Sequence, residues 1–195
     1  MSAFSLWFQK LKMDQATHIL RNGLELVIRE ATAEDARSVL DYVQQVCGES
    51  DFLSFGPGEF ELSEQKEKEF LENSRETNNQ LYMLGLINGT IISTLSFSGG
   101  QRNRIKHCGE LGMTVQKQYW GIGIGKLMLD ALIAWAKDTN IIKKINLRVR
   151  TDNKRAILLY ERKGFVKEGT IRKEIFIDGK FYGHHWMSLE LNEPK

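Results

Sequence analysis

Nine residues constrain this chain more than any others: Gln118-Tyr119-Trp120-Gly121-Ile122-Gly123-Ile124-Gly125-Lys126. Before them, Gly109 to Val115 reads as a strand. After them, Ile124, Met128, Ala131, Leu132 and Trp135 fall at helical spacing and make an apolar stripe over about 121–138. A strand that passes through alternate glycines into a helix leaves bare backbone that a ligand can approach. The first N–H groups of that helix have no acceptors within it, and its dipole adds positive character at the same place. Such a mouth suits phosphate oxygens. The spacing excludes two common phosphate loops. A Walker loop needs four residues between its first glycine and Gly-Lys, followed by Ser or Thr. Here three residues separate Gly121 from Gly125-Lys126, and Leu127 follows. A dinucleotide fingerprint needs a third glycine where Lys126 stands.

The rest of the pattern describes a mixed α/β scaffold. Leu26-Val27-Ile28 is a short strand, and Thr32 with Asp35 has the spacing of a capping box opening a helix that runs through Val39, Leu40, Val43 and Val46. A loop over 49–60 and a polar helix from about Ser63 to Glu76 follow. Period-two texture then gives strands at Leu81 to Ile87 and Thr90 to Phe97, joined by Asn88-Gly89, a type I′ hairpin signal. Ile142 to Arg150 is a strand, residues 154–163 a short helix ended by Gly164, and two closing strands surround Asp178-Gly179. There is no internal repeat. The first 24 residues stand apart as an extension, with Phe4, Trp7, Phe8 and Leu11 on one helical face; a helix is expected there, and residues 25–195 form the single domain.

Composition narrows the function. The formal charge of +2 is too small for a chain whose main task is coating nucleic acid. Cys47 and Cys108 cannot make a disulfide framework or a cysteine-rich zinc site. His184 and His185 are adjacent on a strand and point to opposite faces, so with His107 they give no metal site. No stretch approaches the roughly 20 apolar residues of a membrane helix. Met1 to Phe8 lacks the basic start and apolar run of a secretory signal, so a cytoplasmic chain is expected.

Gln118-x-x-Gly121-x-Gly123 resembles the Q/R-x-x-G-x-G/A signature of the GNAT superfamily of acetyl-CoA-dependent N-acetyltransferases. Asn153-Lys154-Arg155-Ala156-Ile157-Leu158-Leu159-Tyr160 is similar to the family's later segment, with an asparagine opening a helix and a tyrosine seven residues on. The likeness covers about residues 25–191. It implies a mostly antiparallel sheet of six to seven strands, splayed between the two strands that flank the main helix. It also implies acetyl-CoA as cosubstrate, no metal, an amine as acceptor, and a fold in which homodimers are common.

Residue by residue, the resemblance implies that Met113, Thr114 and Val115 line the pantetheine arm. The amides of Trp120, Gly121, Ile122, Gly123, Ile124, Gly125 and Lys126 hold the diphosphate, and Asn153 contacts the pantetheine. The N–H of Val115 or of a neighbouring residue polarises the thioester carbonyl. Tyr160 stands at the position of the general acid for the departing thiolate. Glu110 is the best carboxylate for a base, acting through a water, or for orienting the acceptor. Other relatives place a glutamate on the next strand, where this chain has Arg148. Residues of the 49–60 loop (Glu49, Asp51, Phe52, Phe55) and of the closing hairpin (Tyr182, His184, Trp186) are candidates for the acceptor side. The basic loop 102–107 and Lys154-Arg155 are candidates for the 3′-phosphate or an acidic partner. The alternative from another class is an acyl-CoA-binding module without turnover.

Overall fold

The computed structural model describes residues 13–191. Eight strands form one sheet: β1 (Ala16–Ile19), β2 (Glu25–Glu30), β3 (Gln80–Ile87), β4 (Thr90–Gly99), β5 (Cys108–Val115), β6 (Lys144–Arg150), β7 (Val166–Ile177) and β8 (Lys180–Glu190). Four helices accompany them: α1 (Ala36–Cys47), α2 (Glu64–Glu76), α3 (Ile124–Asp138) and α4 (Lys154–Arg162). The strand order is β1-β2-β3-β4-β5-β6-β8-β7, and every pairing is antiparallel except β5 with β6.

Local chemistry accounts for most of these elements. Asn88 (φ 50) with Gly89 (φ 78), and Asp178 (φ 48) with Gly179 (φ 78), take the two left-handed positions of type I′ hairpins. The Asp35 carboxylate accepts the Thr32 N–H at 2.8 Å and closes the capping box in a 3-10 turn that runs into α1. Ser63 caps α2 by accepting the Lys66 N–H.

The sheet begins earlier than residue 25. Ala16–Ile19 pairs with β2 and Leu20 is buried, so the end of the expected extension is an eighth strand. Four residues were too few for a period to show. The helix expected around Phe4, Trp7, Phe8 and Leu11 lies outside the described residues.

The sheet separates two cores. On one face α3 buries Met128, Leu129 and Leu132 against Leu26, Met83, Leu95 and Phe97, with Trp135 edge-on to Phe97 at 5.8 Å. On the other, Val39, Tyr42, Val43 and Val46 of α1 and Leu71 of α2 pack on Tyr82, Leu84 and Leu86 of β3. β3 is therefore covered on both sides, which explains its near-continuous apolar sequence.

Candidate active site

β5 holds β4 along its whole length, from Ser93↔Val115 to Gly99↔Gly109. It holds β6 only at Cys108↔Lys144, Gly109↔Ile145 and Glu110↔Asn146. Beyond Glu110 the two parallel strands separate, while β6 stays paired with β8 as far as Arg150↔His184. The Gln116 N–H bonds the Ile92 carbonyl, so the backbone alternation turns Thr114 and Gly112 toward β4 and Met113 and Val115 toward the gap. The backbone of β5 is thus left as an open strand edge, a template for an extended polar chain. The Trp120 indole donates to the Val115 carbonyl at 2.7 Å, which fixes the top of the gap beside the glycine turn.

At that turn Gly121 (φ 91) and Gly123 (φ 105) adopt left-handed backbone that side-chain-bearing residues avoid. Gly123 is the N-cap of α3, and no side chain caps the helix. The first helical bond runs from Leu127 N–H to the Gly123 carbonyl, so the amides of Ile124, Gly125 and Lys126 face outward unpaired. Gly125 serves a second purpose: a Cβ there would lie 3.0 Å from Leu159 and 3.4 Å from Met113, so it lets α4 and β5 close on the helix.

The gap opens into a cavity of about 1590 Å³. Of the residues the sequence singled out, Glu110, Met113, Thr114, Val115, Trp120, Gly121, Gly123 to Lys126, Asn153 and Tyr160 all line it. Gln118 and Ile122 do not: Gln118 donates to Gln116, and Ile122 packs on the α3 core. Asn153 caps α4, its side-chain oxygen accepting the Ala156 N–H at 3.2 Å, which leaves its amide donors for a ligand. Lys154 and Arg155 line the cavity beside Lys126, with Arg155 stacked on Trp120. The 102–107 loop is exposed and lies apart from it.

Tyr160 is 7% exposed, with Phe165 against its ring at 5.7 Å, and its hydroxyl makes no hydrogen bond among the described residues. Burial pushes the phenol up to about 12, so it is neutral across the physiological range. Glu110 is engaged: Arg148 donates to it through Nε at 2.7 Å and to Glu174 through Nη1 at 3.3 Å, while Glu174 also meets His184 Nδ1 at 2.7 Å.

Two residues here were not anticipated. Arg150 is 6% exposed, bidentate on Asp152 and bonded to the Asp51 carbonyl at 2.6 Å. Its guanidinium lies between the rings of Phe52 (4.6 Å) and Tyr182 (4.1 Å), pinning the 49–60 loop to β6 and β8. In the sequence it is one of three polar residues at alternate positions, with Asn146 and Arg148, and nothing distinguishes it from them. Glu67 is 3% exposed and lines the cavity from α2. Glu67, Leu71 and Ser74 are the buried residues of α2, and of the three only Leu71 marks that face in the sequence. In the 49–60 loop, Glu49, Phe52 and Phe55 line the cavity, and Glu49 also accepts the Lys117 N–H at 2.7 Å.

Among the described residues no group of three His, Cys, Asp or Glu side chains could hold a metal ion. No helix among them is long and apolar enough to cross a membrane.

Comparison with known proteins agrees with this geometry. Residues 49–165, more than half of the chain, match the acetyltransferase (GNAT) family. An acetyltransferase of the GNAT family from Streptococcus pneumoniae superposes with a TM-score of 0.83 at 32% identity, covering 86% of this chain and 99% of that one. The Salmonella typhimurium protein yncA, solved with its cofactor acetyl-CoA, superposes at 0.75 with 17% identity over 87% of this chain and 96% of that one, a likeness of fold. In sequence, the L-amino acid N-acetyltransferase AaaT of Escherichia coli is 26% identical over 54% of this chain and 65% of its own length. The chain spans from about half to two thirds of the length of the curated relatives it matches. The parted strands, the uncapped helix mouth and the family match lie on the same segment, and the chain belongs to the GNAT acetyltransferase family.

Proposed function

We propose that this protein transfers the acetyl group of acetyl-CoA to a primary amine by direct attack. The observation that carries the reading is the parting of β5 from β6 after three residue pairs, directly below an uncapped helix mouth. The amides of Ile124, Gly125 and Lys126 take diphosphate oxygens, with Lys126, Lys154 and Arg155 adding charge. The pantetheine pairs with the open edge at Met113 and passes beside Val115, and Asn153 donates to it from the start of α4. That brings the thioester beneath the sheet face that carries α1 and α2.

An amine with an ordinary pKa of about 8–10 must arrive neutral or lose a proton to water before it attacks. Its nitrogen adds to the thioester carbon, and the Val115 N–H steadies the resulting oxyanion. As the intermediate collapses, the C–S bond breaks and the Tyr160 hydroxyl protonates the departing thiolate. The phenoxide left behind is restored by the proton the new amide nitrogen sheds. The apolar surroundings that raise the phenol also raise the basicity of the thiolate, so the transfer is less uphill than it would be in water. Glu110 acts as a fixed anion that orients the acceptor, since one of its oxygens is already held by Arg148.

The test is thiol release from acetyl-CoA across a panel of amines, small molecules and peptide N-termini alike, alongside calorimetric binding of the coenzyme. Turnover with at least one amine supports the reading. Tight coenzyme binding with no thiol release from any acceptor would make the chain an acyl-CoA-binding module instead.

A further inference from the structure

Among the described residues, one carboxylate that lines the cavity has no side-chain partner. The ionic groups around it are matched: Glu110 and Glu174 share Arg148, Asp152 holds Arg150, and Glu49 accepts a backbone N–H. Glu67 is different. It is almost fully buried, it lines the cavity, and among the described residues its side chain makes no hydrogen bond or ion pair. Burial raises its carboxyl above the usual range, and its charge in turn opposes ionisation of the buried Tyr82. Aromatic rings line the same cavity: Phe70 meets Tyr82 edge-on at 5.8 Å, and Phe55 packs tilted on Phe60 at 5.2 Å. A buried unpaired carboxylate is costly unless a ligand supplies the opposite charge, and aromatic faces favour a cation.

We propose that Glu67 is the counter-ion for an ammonium of the acceptor, and that the acceptor carries two separated amines, one cationic on Glu67 and one neutral that attacks. The separation follows from the sheet. Tyr82 on β3 faces Ser96 on β4, which faces Gly112 on β5. Neighbouring strands lie about 4.8 Å apart, so the strand beneath Glu67 is about 10 Å from the open edge of β5. An ammonium on Glu67 is therefore not the nitrogen at the thioester but a second one several bonds away. Arg148 and Arg150, the arginines of β6 that line the cavity, are both committed to carboxylates, so neither is free for a substrate carboxylate. The class is a diamine or polyamine, unlike the L-amino acids in the name of the Escherichia coli relative. This inference rests on the acetyl-transfer reading and specifies its acceptor.

The experiment compares 1,5-diaminopentane with pentylamine, and includes L-phenylalanine, in the thiol-release assay and by calorimetry with coenzyme A present. The wild type is expected to show a KM for the diamine roughly ten- to a hundredfold below that for the monoamine, as a charge-assisted contact allows. Glu67→Gln should abolish that preference by raising the diamine KM, with coenzyme affinity as it was. Because E67Q removes an unpaired buried charge, its melting temperature should hold or rise, and a merely structural role would lower it. Equal KM values for the diamine and monoamine in the wild type, which needs no variant, or a preference for L-phenylalanine, would overturn the proposal and leave acetyl transfer standing. If no amine is turned over, the activity reading fails by itself, and calorimetry still judges Glu67: diamine binding lost in E67Q supports it, and unchanged binding sinks it.

Discussion

At the mouth of α3 the cavity wall is mostly backbone, whereas under α2 it is almost all side chain. The first end is set by left-handed glycines, three unpaired helix amides and an unpaired strand edge. The second is set by Glu67, Phe70 and Tyr82 from α2 and β3, Phe55 and Phe60 from the 49–60 loop, and the Glu110–Arg148–Glu174 chain from three strands. The difference matters for function. Backbone donors recognise a constant group such as a diphosphate and tolerate changes in neighbouring side chains. Side chains recognise whatever their own chemistry matches, so the acceptor end is where specificity can vary within one fold.

Substitutions at each end should separate these roles. The largest effect is expected where the two ends meet: Tyr160→Phe should lower kcat by about 10²- to 10⁴-fold with the coenzyme Kd unchanged, measured by steady-state kinetics and calorimetry. A loss in coenzyme binding of similar size would make Tyr160 part of the backbone end's packing instead. Next comes Arg150→Ala, which removes the clamp between Phe52 and Tyr182 and strands Asp152. A stability loss of about 2–4 kcal/mol by chemical denaturation, with a raised acceptor KM and unaltered coenzyme binding, is expected. An equal weakening of coenzyme binding would show that the two ends are not independent.

Gly123→Ala tests the backbone end. A Cβ there meets no neighbour within 4 Å, so the cost is the φ of 105 alone, about 1–2 kcal/mol. Coenzyme affinity should fall about tenfold while diamine binding is retained. The smallest effect is at a site remote from both ends. Against the desolvation that would raise it, hydrogen bonds from Arg29 and Thr32 hold the Asp35 carboxyl below its ordinary range. Its contribution is present above the unfolded value near 3.9 and is lost as pH falls through the lower folded value. Asp35→Asn should therefore cost about 1 kcal/mol at pH 7, and the gap to wild type should close below about pH 4, with both ends of the cavity unaffected.

The amino-acid sequence by itself determined what depends on near neighbours along the chain. Helical spacing placed α1 and α3, Gly164 ended α4, period two placed β3 and β4, Asn88-Gly89 and Asp178-Gly179 placed two hairpins, and the alternate glycines placed the helix mouth. Each is a local signal, because φ preferences and face periodicity act within a few residues. Only the tertiary structure decided that Ala16–Ile19 joins the sheet, that Arg148 holds Glu110 from 38 residues away, and that Arg150 and Glu67 are buried. A charged side chain carries no mark of its own burial. Whether Glu67 faces solvent or a cavity is fixed by how α2 packs on β3 and by the 49–60 loop that lines the same cavity, an arrangement that exists only once the chain has folded.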